Sequence, residues 1–424
     1  MKRICIIVIL LGIFLSCFES FSLSKVPISF MIEVGQGLPD PIVEQLVKEF
    51  NDSNDKINVK LEPIPGQATD YEMKIMANLL SGNPPDLFTT HDNTNFKYAK
   101  ERLLEPLPKD IADYVNKNLS LLLKGAIRRS LSYNNILYGI PWEGDWVALY
   151  YNMDMYKESG IKSPPRTLSE MMEHIKKLAR YDDKGNVIRS GYTLRITGHP
   201  AGIFDKFVSF YTAYGGTIIN NDLTRFLIDS PEGEKAAQYY LDILYKYKAD
   251  AVTMVKDTTA FAQKLAALHA REPATVVQLK TRAPDMKFGI NYGVVPFPKE
   301  KATARNAAFI DALVVPSNAK NKNEAWEFVR WLLKPENYTR LQIGMGSIPL
   351  LEFVARDPYF STTGDGRYME VFLKEALWID PPHSNFYEAK TKIGEYLERI
   401  FYQKIGLKEG LSEAVKEANS ILNR

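Results

Sequence analysis

The chain has 424 residues, of which 45% are hydrophobic, 25% charged and 12% aromatic, a composition that supports a large core and excludes a disordered or fibrous chain. Lys and Arg number 53 against 51 Asp and Glu, so the basic excess with which nucleic-acid binders neutralise phosphate is absent. Cys5 and Cys17 are the only cysteines, which excludes cysteine-ligated zinc and, once an export signal is cut away, thiol catalysis and any intrachain disulfide.

Lys2 and Arg3 precede the apolar run Ile4 to Leu15, and Ser16 and Cys17 follow it, which is the layout of an export signal. The run is shorter than the roughly 20 residues a spanning helix needs. Residues 1–16 are therefore expected to form a lipoprotein-type signal peptide, with cleavage before Cys17 and acylation of that cysteine; cleavage after Ser22 is the alternative. Val26 to Val34 then forms an apolar, β-branched strand signal, and Ile42, Val43, Leu46, Val47 and Phe50 repeat at helical spacing. Ile57 to Ile64 alternates as a second strand. Met73, Met76, Ala77 and Leu80 mark a second helix, stopped by Ser81, Gly82 and Asn83, and Asp86 to Thr90 resumes as a strand. This β-α-β-α-β order predicts a parallel sheet with helices on both faces and a ligand at the carboxyl ends of its strands. The residues just past those ends are Glu33 to Gly37 and His91 to Asn95, which makes Glu33 and Asp92 candidate ligand groups.

Tyr138 to Asn152, YGIPWEGDWVALYYN, is the richest stretch. Pro141 cannot donate to a ladder, so it is expected to end a strand at Leu137 to Ile140 and begin a crossing. Trp142, Glu143, Asp145 and Trp146 follow it. Indole faces beside carboxylate acceptors suit a polyhydroxylated ligand, whose C–H faces pack on aromatics while its hydroxyls donate to carboxylates. A buried Trp pair in an ordinary connection is the other reading of the same residues. No G-x-S-x-G, G-x-x-x-x-G-K or H-E-x-x-H motif accompanies them. His174, on the helical stretch Leu168 to Ala179, reads as a satisfied or surface histidine, and Asp182 to Asn186 as a turn rather than a calcium loop.

Further motifs fall in a characteristic order: SGNPPDLF (Ser81 to Phe88), LLEPL (Leu103 to Leu107), YGIPW, LYYNMDMYKESGI (Leu149 to Ile161), PPRTLSEM (Pro164 to Met171), AYGGTIINND (Ala213 to Asp222), YGVVPFP (Tyr292 to Pro298) and EAWEFVRWLL (Glu324 to Leu333). Together they resemble the family-1 extracellular solute-binding proteins, the sugar-binding components of ABC importers. The resemblance covers essentially everything after the signal. It implies a periplasmic-binding-protein-like α/β fold in which two α/β lobes with central sheets are joined by a multi-crossing hinge. The N-terminal lobe would comprise residues 25–141 and 312–346, the C-terminal lobe 142–306 and 351–424, with crossings near 141–143, 307–311 and 346–350.

It also implies a receptor, not an enzyme, that needs no cofactor or metal. Such a receptor is exported to the cell envelope, works as a monomer, captures a carbohydrate by hinge closure and delivers it to a membrane permease, with the membrane touched only through a lipid anchor. Residue by residue, Asp92 matches a sugar-contacting aspartate, Glu143 a glutamate just beyond the first hinge, and Tyr387 falls where a sugar-stacking tryptophan stands. Trp378 would lie on the loop leading into the site, and Asp311 at the second crossing. The pattern departs from the family at Lys264, where a glycine is usual, around Arg271 and Glu272, where a glycine and a tryptophan commonly follow, and at Ile310 and Asp311, where a glycine pair is often seen. A charged wall at 271–272 leaves open a non-sugar solute such as a polyamine, an anion or a peptide, with Arg195, Arg271 and Arg282 as the groups that would favour an anion. A secreted glycosidase, using paired carboxylates flanked by tryptophans, is the enzymatic alternative.

Overall fold

The computed structural model describes residues 24–34, 41–65, 68–361, 364–375 and 377–424, except for the side chains at 68, 69, 92 and 93. The signal segment, Cys17, residues 35–37 and the Asp92 side chain lie outside the described part.

Strands β1 (Val26–Glu33), β2 (Ile57–Ile64) and β3 (Leu87–Thr90) are parallel, with β1 in the middle. Ile28, Phe30, Met31 and Ile32 of β1 are all buried, as a parallel strand covered on both faces requires. The helix Pro41–Ser53 buries Val43, Leu46, Val47 and Phe50, the expected face. The helix Ala68–Leu80 forms where expected but turns a different face inward: Tyr71, Ile75 and Leu79 are buried, while Met73 and Leu80 are 64% and 73% exposed. The Tyr71 hydroxyl fixes this rotation by donating to the Thr89 carbonyl at 2.7 Å, because a buried phenol needs an acceptor.

The remaining strands are β4 (Ser132–Tyr133), β5 (Ile136–Leu137), β6 (Gly139–Trp146), β7 (Ala148–Asn152), β8 (Arg180–Tyr181), β9 (Val187–Tyr192), β10 (Ala266–Arg271), β11 (Tyr292–Val295), β12 (Asn306–Val314) and β13 (Leu377–Ile379). The first sheet runs β13-β12-β3-β1-β2, with β6 also on β12, and the second runs β11-β7-β10-β9-β8. Each has helices packed against it, giving two α/β lobes.

Between the lobes, β6 and β12 form an antiparallel ribbon. Its first half pairs Gly139–Pro141 with Ala312–Val314, beside β3, and its second pairs Gly144–Trp146 with Ala308–Ile310. The register shifts between Ile310 and Ala312, which puts Asp311 at a bulge. Pro141 thus lies inside β6 instead of ending a strand. A proline fits there because β6 is an edge strand whose outer side meets no other strand. That side is served by another crossing: Tyr338 Oη donates to the Pro141 carbonyl at 2.6 Å and Gln342 Nε2 to that of Trp142 at 2.7 Å. Gly144 N–H donates to Ser347 Oγ at 2.9 Å, and Ile348 N–H to the Gly144 carbonyl at 3.0 Å. Tyr338 and Gln342 belong to the helix Pro335–Met345, which Gly346 ends in the left-handed conformation, φ 71°.

Two apolar cores result. The second gathers one face of the second sheet with the helices Pro200–Ala213, Pro231–Leu241, Phe386–Phe401 and Leu407–Leu422. The first fills the first lobe and continues through Trp146, Leu350 and Phe372 to Tyr150 and Tyr292 on the second sheet and Phe261 of the helix Asp257–Ala262. Trp146 is fully buried there, its Nε1 donating to the Phe372 carbonyl at 2.8 Å.

Candidate functional site

The carboxyl ends of β1 and β3 and the first half of the ribbon enclose a cavity of about 260 Å³ lined by Glu33, Tyr71, Thr89, Thr90, His91, Trp142, Glu143 and Asp311. Four of the residues singled out in the sequence, Glu33, Trp142, Glu143 and Asp311, therefore meet around one space. The β1–β3 register and the bulge make this possible. Glu33 is the last residue of its strand, His91 follows the last residue of β3, and the bulge breaks the pairing at Asp311.

His91 organises the cavity. Its Nε2 lies 3.2 Å from Glu33 Oε2 and its Nδ1 3.2 Å from Asp311 Oδ1. Burial works against its charge, but Asp311 and then Glu33 outweigh burial and hold the imidazole well above its ordinary range. Burial likewise opposes ionisation of Glu33, yet His91 keeps that carboxyl below its usual range. The result is an imidazolium strut between two carboxylates that retain lone pairs for a ligand's hydroxyls. Thr90 Oγ1, also on the cavity wall, is buried without a hydrogen-bond partner. Trp142 is 6% exposed and packs edge-on against Phe30, ring centroids 5.7 Å apart, so it joins the cavity from the core side.

Asp145 follows Glu143 on the same face of β6. Its Oδ1 is buried without a hydrogen-bond partner. Burial, then the charge of Glu272, raise its carboxyl to about 7, against a lowering hydrogen bond from Glu143. Tyr387 approaches from the second lobe. Its ring stacks on His91 with centroids 6.1 Å apart and on His199 at the same distance, and its hydroxyl lies 3.1 Å from His199 Nε2. Burial, then the His91 charge, lower His199 to about 4. Tyr387 also lines a neighbouring cavity of about 190 Å³ with Glu72, Thr94 and Tyr98.

Beyond these the second lobe presents a wall of paired charges. Lys206 Nζ contacts Glu272, and Arg271 Nε is 3.2 Å from both Asp257 and Glu272. Arg195 reaches Asp257 at 3.3 Å. Burial opposes the charge on Glu272, but Arg271 and Lys206 keep it well below the usual carboxylate range. The charged substitution at Arg271 and Glu272 thus falls on this wall, whereas Lys264 points outward to Asp285 at 2.6 Å. Arg195 and Arg271 both face Asp257, and Arg282 is exposed at the end of its helix, so the three arginines do not form an anion cradle.

Of the candidates absent from the cavity lining, Asp145 and Tyr387 lie near its edge, whereas Trp146 and Trp378 are committed elsewhere. Trp146 is committed to the core through Phe372, its indole on the opposite side of β6 from Glu143 and Asp145. Trp378 lies in β13, packs on Phe386 at 5.9 Å and lines a separate cavity of about 670 Å³ with Arg129, Asn220, Arg305 and Glu375. For Asp92 only the backbone is described, at the first turn of the helix Asp92–Lys100. Sequence reasoning missed His91 as the central strut, Tyr71, and Lys206. Lys206 carried a usable signal, the charged pair Asp205–Lys206 inside the largely apolar helix Pro200–Ala213. His174 meets the Tyr156 hydroxyl at 3.3 Å, and Asp182 accepts from the backbone of Lys184 and Asn186, a turn as expected.

A family model described as bacterial extracellular solute-binding protein matches residues 35–339. The maltotriose-binding protein of Pyrococcus abyssi is 24% identical over 324 residues, 75% of this chain and 65% of that relative. The galactooligosaccharide-binding protein of Bacillus subtilis is 24% identical over 399 residues, 89% of this chain and 85% of the relative. In fold, the chain is similar to an ABC transporter solute-binding protein from Thermotoga lettingae solved with alpha-D-tagatose, with a TM-score of 0.79 at 23% identity over 94% of this chain and 100% of that one. With two α/β lobes bridged by a ribbon, a polar cavity where the ribbon meets the first sheet, and a family model matched over most of its length, the chain belongs to the bacterial extracellular solute-binding proteins.

Proposed function

We propose that this protein is the extracytoplasmic receptor of an ABC importer, that it binds a carbohydrate between its lobes, and that ligand-driven closure presents the complex to a membrane permease. The observation that carries the reading is the cavity in which Trp142 meets the carboxylates of Glu33, Glu143 and Asp311, with His91 bracing two of them. Hydroxyl donors and sugar C–H faces are what such a lining recognises. Related proteins named for maltotriose and galactooligosaccharides favour the same ligand class. Of the sequence candidates outside the cavity lining, Tyr387 and Asp145 complete the site from its edge, Asp92 remains a candidate beside them, and Trp378 belongs to a second surface. In this reading the lobes divide as 25–141 with 312–346 and 142–306 with 351–424, and ligand contact with both favours the closed form. Cys17 would anchor an otherwise monomeric protein to the membrane surface.

The test is a thermal-shift screen over mono- and oligosaccharides, polyols, polyamines and sugar phosphates, with product analysis of every hit. A receptor gains stability by mass action, about 2.7 kcal/mol at 100 times Kd, without consuming its ligand. Turnover of a stabilising sugar would make the protein an enzyme. Stabilisation by polyamines or anions alone would remove the carbohydrate.

A further inference from the structure

We propose that the carbohydrate is a basic one, an amino sugar whose protonated amine lies against Asp145. This rests on the carbohydrate reading above and narrows it. Asp145 is placed by β6 on the same face as Glu143, and its Oδ1 is enclosed without a hydrogen-bond partner. Among the described residues no cation lies within ion-pair distance of it. The cations nearby are engaged elsewhere: Lys206 with Glu272, Arg271 with Asp257 and Glu272, His91 with Glu33 and Asp311. The charged groups that act most strongly on Asp145 come from several elements. Glu143 lies on its own strand, Asp311 on β12, and Glu272, Lys206 and Arg271 come from the second lobe.

Carboxylates predominate in that set, and its two lobe-two cations are already neutralised within their own wall. A neutral hydroxyl can accept or donate a hydrogen bond here but brings no charge. An ammonium supplies both the donors that Oδ1 lacks and the positive charge that lets Glu143 and Asp145 ionise side by side. Burial and the neighbouring Glu272 charge let Asp145 hold a proton up to about pH 7. Binding of a protonated amine below pH 7, where Asp145 still carries its proton, therefore releases that proton to solvent, whereas binding of the neutral parent sugar does not.

The experiment is isothermal titration calorimetry of the full mature chain at pH 6.0, where Asp145 holds its proton and the sugar amine is fully protonated, in two buffers of different ionisation enthalpy. The probes are D-glucosamine, D-galactosamine and chitosan di- and trisaccharides, against D-glucose, D-galactose, cellobiose and cellotriose. At least one amino sugar is expected to bind tenfold or more tightly than its neutral parent, with proton release. Asp145→Asn, which keeps the shape of the side chain, should cut that ratio at least tenfold and abolish the proton release; a thermal melt of the variant checks that it folds. Neutral parents that bind as tightly as the amino sugars, or failure of every amino sugar to bind, would overturn the proposal. Binding of neutral sugars leaves the carbohydrate receptor standing, whereas binding of putrescine or spermidine with no sugar removes both.

Discussion

His91 shows how one side chain sets a site's charge. It sits 27% exposed between Glu33 and Asp311, and the raised imidazolium prevents two carboxylates from facing each other unscreened. A histidine raised on folding adds stability that is fully present below its unfolded value, near 6.5, and is lost as pH rises through the folded one. His91→Gln should therefore cost about 1–3 kcal/mol at pH 6, and the difference from the parent should shrink in alkaline solution. Raw melting curves mix this with His199, which is lowered to about 4 and so weakens the fold as pH falls from 6.5 towards 4. Only the parent-minus-variant difference isolates His91; a difference that stays flat from pH 6 to 9 would mean that its charge is not what binds the cavity together. Aromatic contacts divide similarly. Tyr387→Ala removes a ring from the cavity's edge and should weaken ligand binding by about 1–3 kcal/mol, by analogy with bases stacked on aromatics, with little change in melting. Trp142→Ala should cost stability as well, about 3–5 kcal/mol, because that indole is nearly buried against Phe30. Affinity and melting temperature measured on both variants separate a stacking surface from a packing one.

At the scale of elements, the ribbon of β6 and β12 carries the site. Gly139 has no room for a side chain: a Cβ there would lie 2.6 Å from Ala312 Cβ, which is fixed to the facing strand. Gly139→Ala should destabilise by about 1–3 kcal/mol through overpacking, read as a shift in urea midpoint with unchanged slope. Ser347→Ala would leave the buried Gly144 N–H without its partner, at a similar cost of about 1–3 kcal/mol. These elements also show how much was legible beforehand. Strands β1 and β3 could be read off because parallel strands inside a sheet bury most of their residues, β2 because the first half of an edge strand alternates, and the helix Pro41–Ser53 because a one-sided helix repeats its apolar face. The helix Ala68–Leu80 could not be oriented, because Tyr71, Ile75 and Leu79 compete with a methionine row of equal hydrophobicity. The choice was made by a hydroxyl reaching Thr89 in another element. Pro141 misled for a related reason: that β6 lies at an edge, with side chains in place of a neighbouring strand, depends on residues some 200 positions away.

For the molecule as a whole, the first core does not stop at the hinge. Trp146, Leu350 and Phe372 join it to Tyr150 and Tyr292 beneath the second sheet. The two lobes should consequently unfold in one calorimetric transition, and two well-separated transitions would show that the cores are independent. Long-range convergence was also the limit of the sequence. Glu33, Trp142, Glu143 and Asp311 could be nominated singly from strand ends and crossings, but His91 between two carboxylates, and the commitment of Trp146 and Trp378 to other surroundings, arise only when distant segments meet. The outer edge of β6 has a wider consequence. A strand that spans a moving joint would ordinarily offer an open row of backbone groups to any neighbouring chain. Here Tyr338, Gln342, Ser347 and Ile348 occupy that row. A joint at this ribbon would therefore flex without offering a template for intermolecular β-pairing.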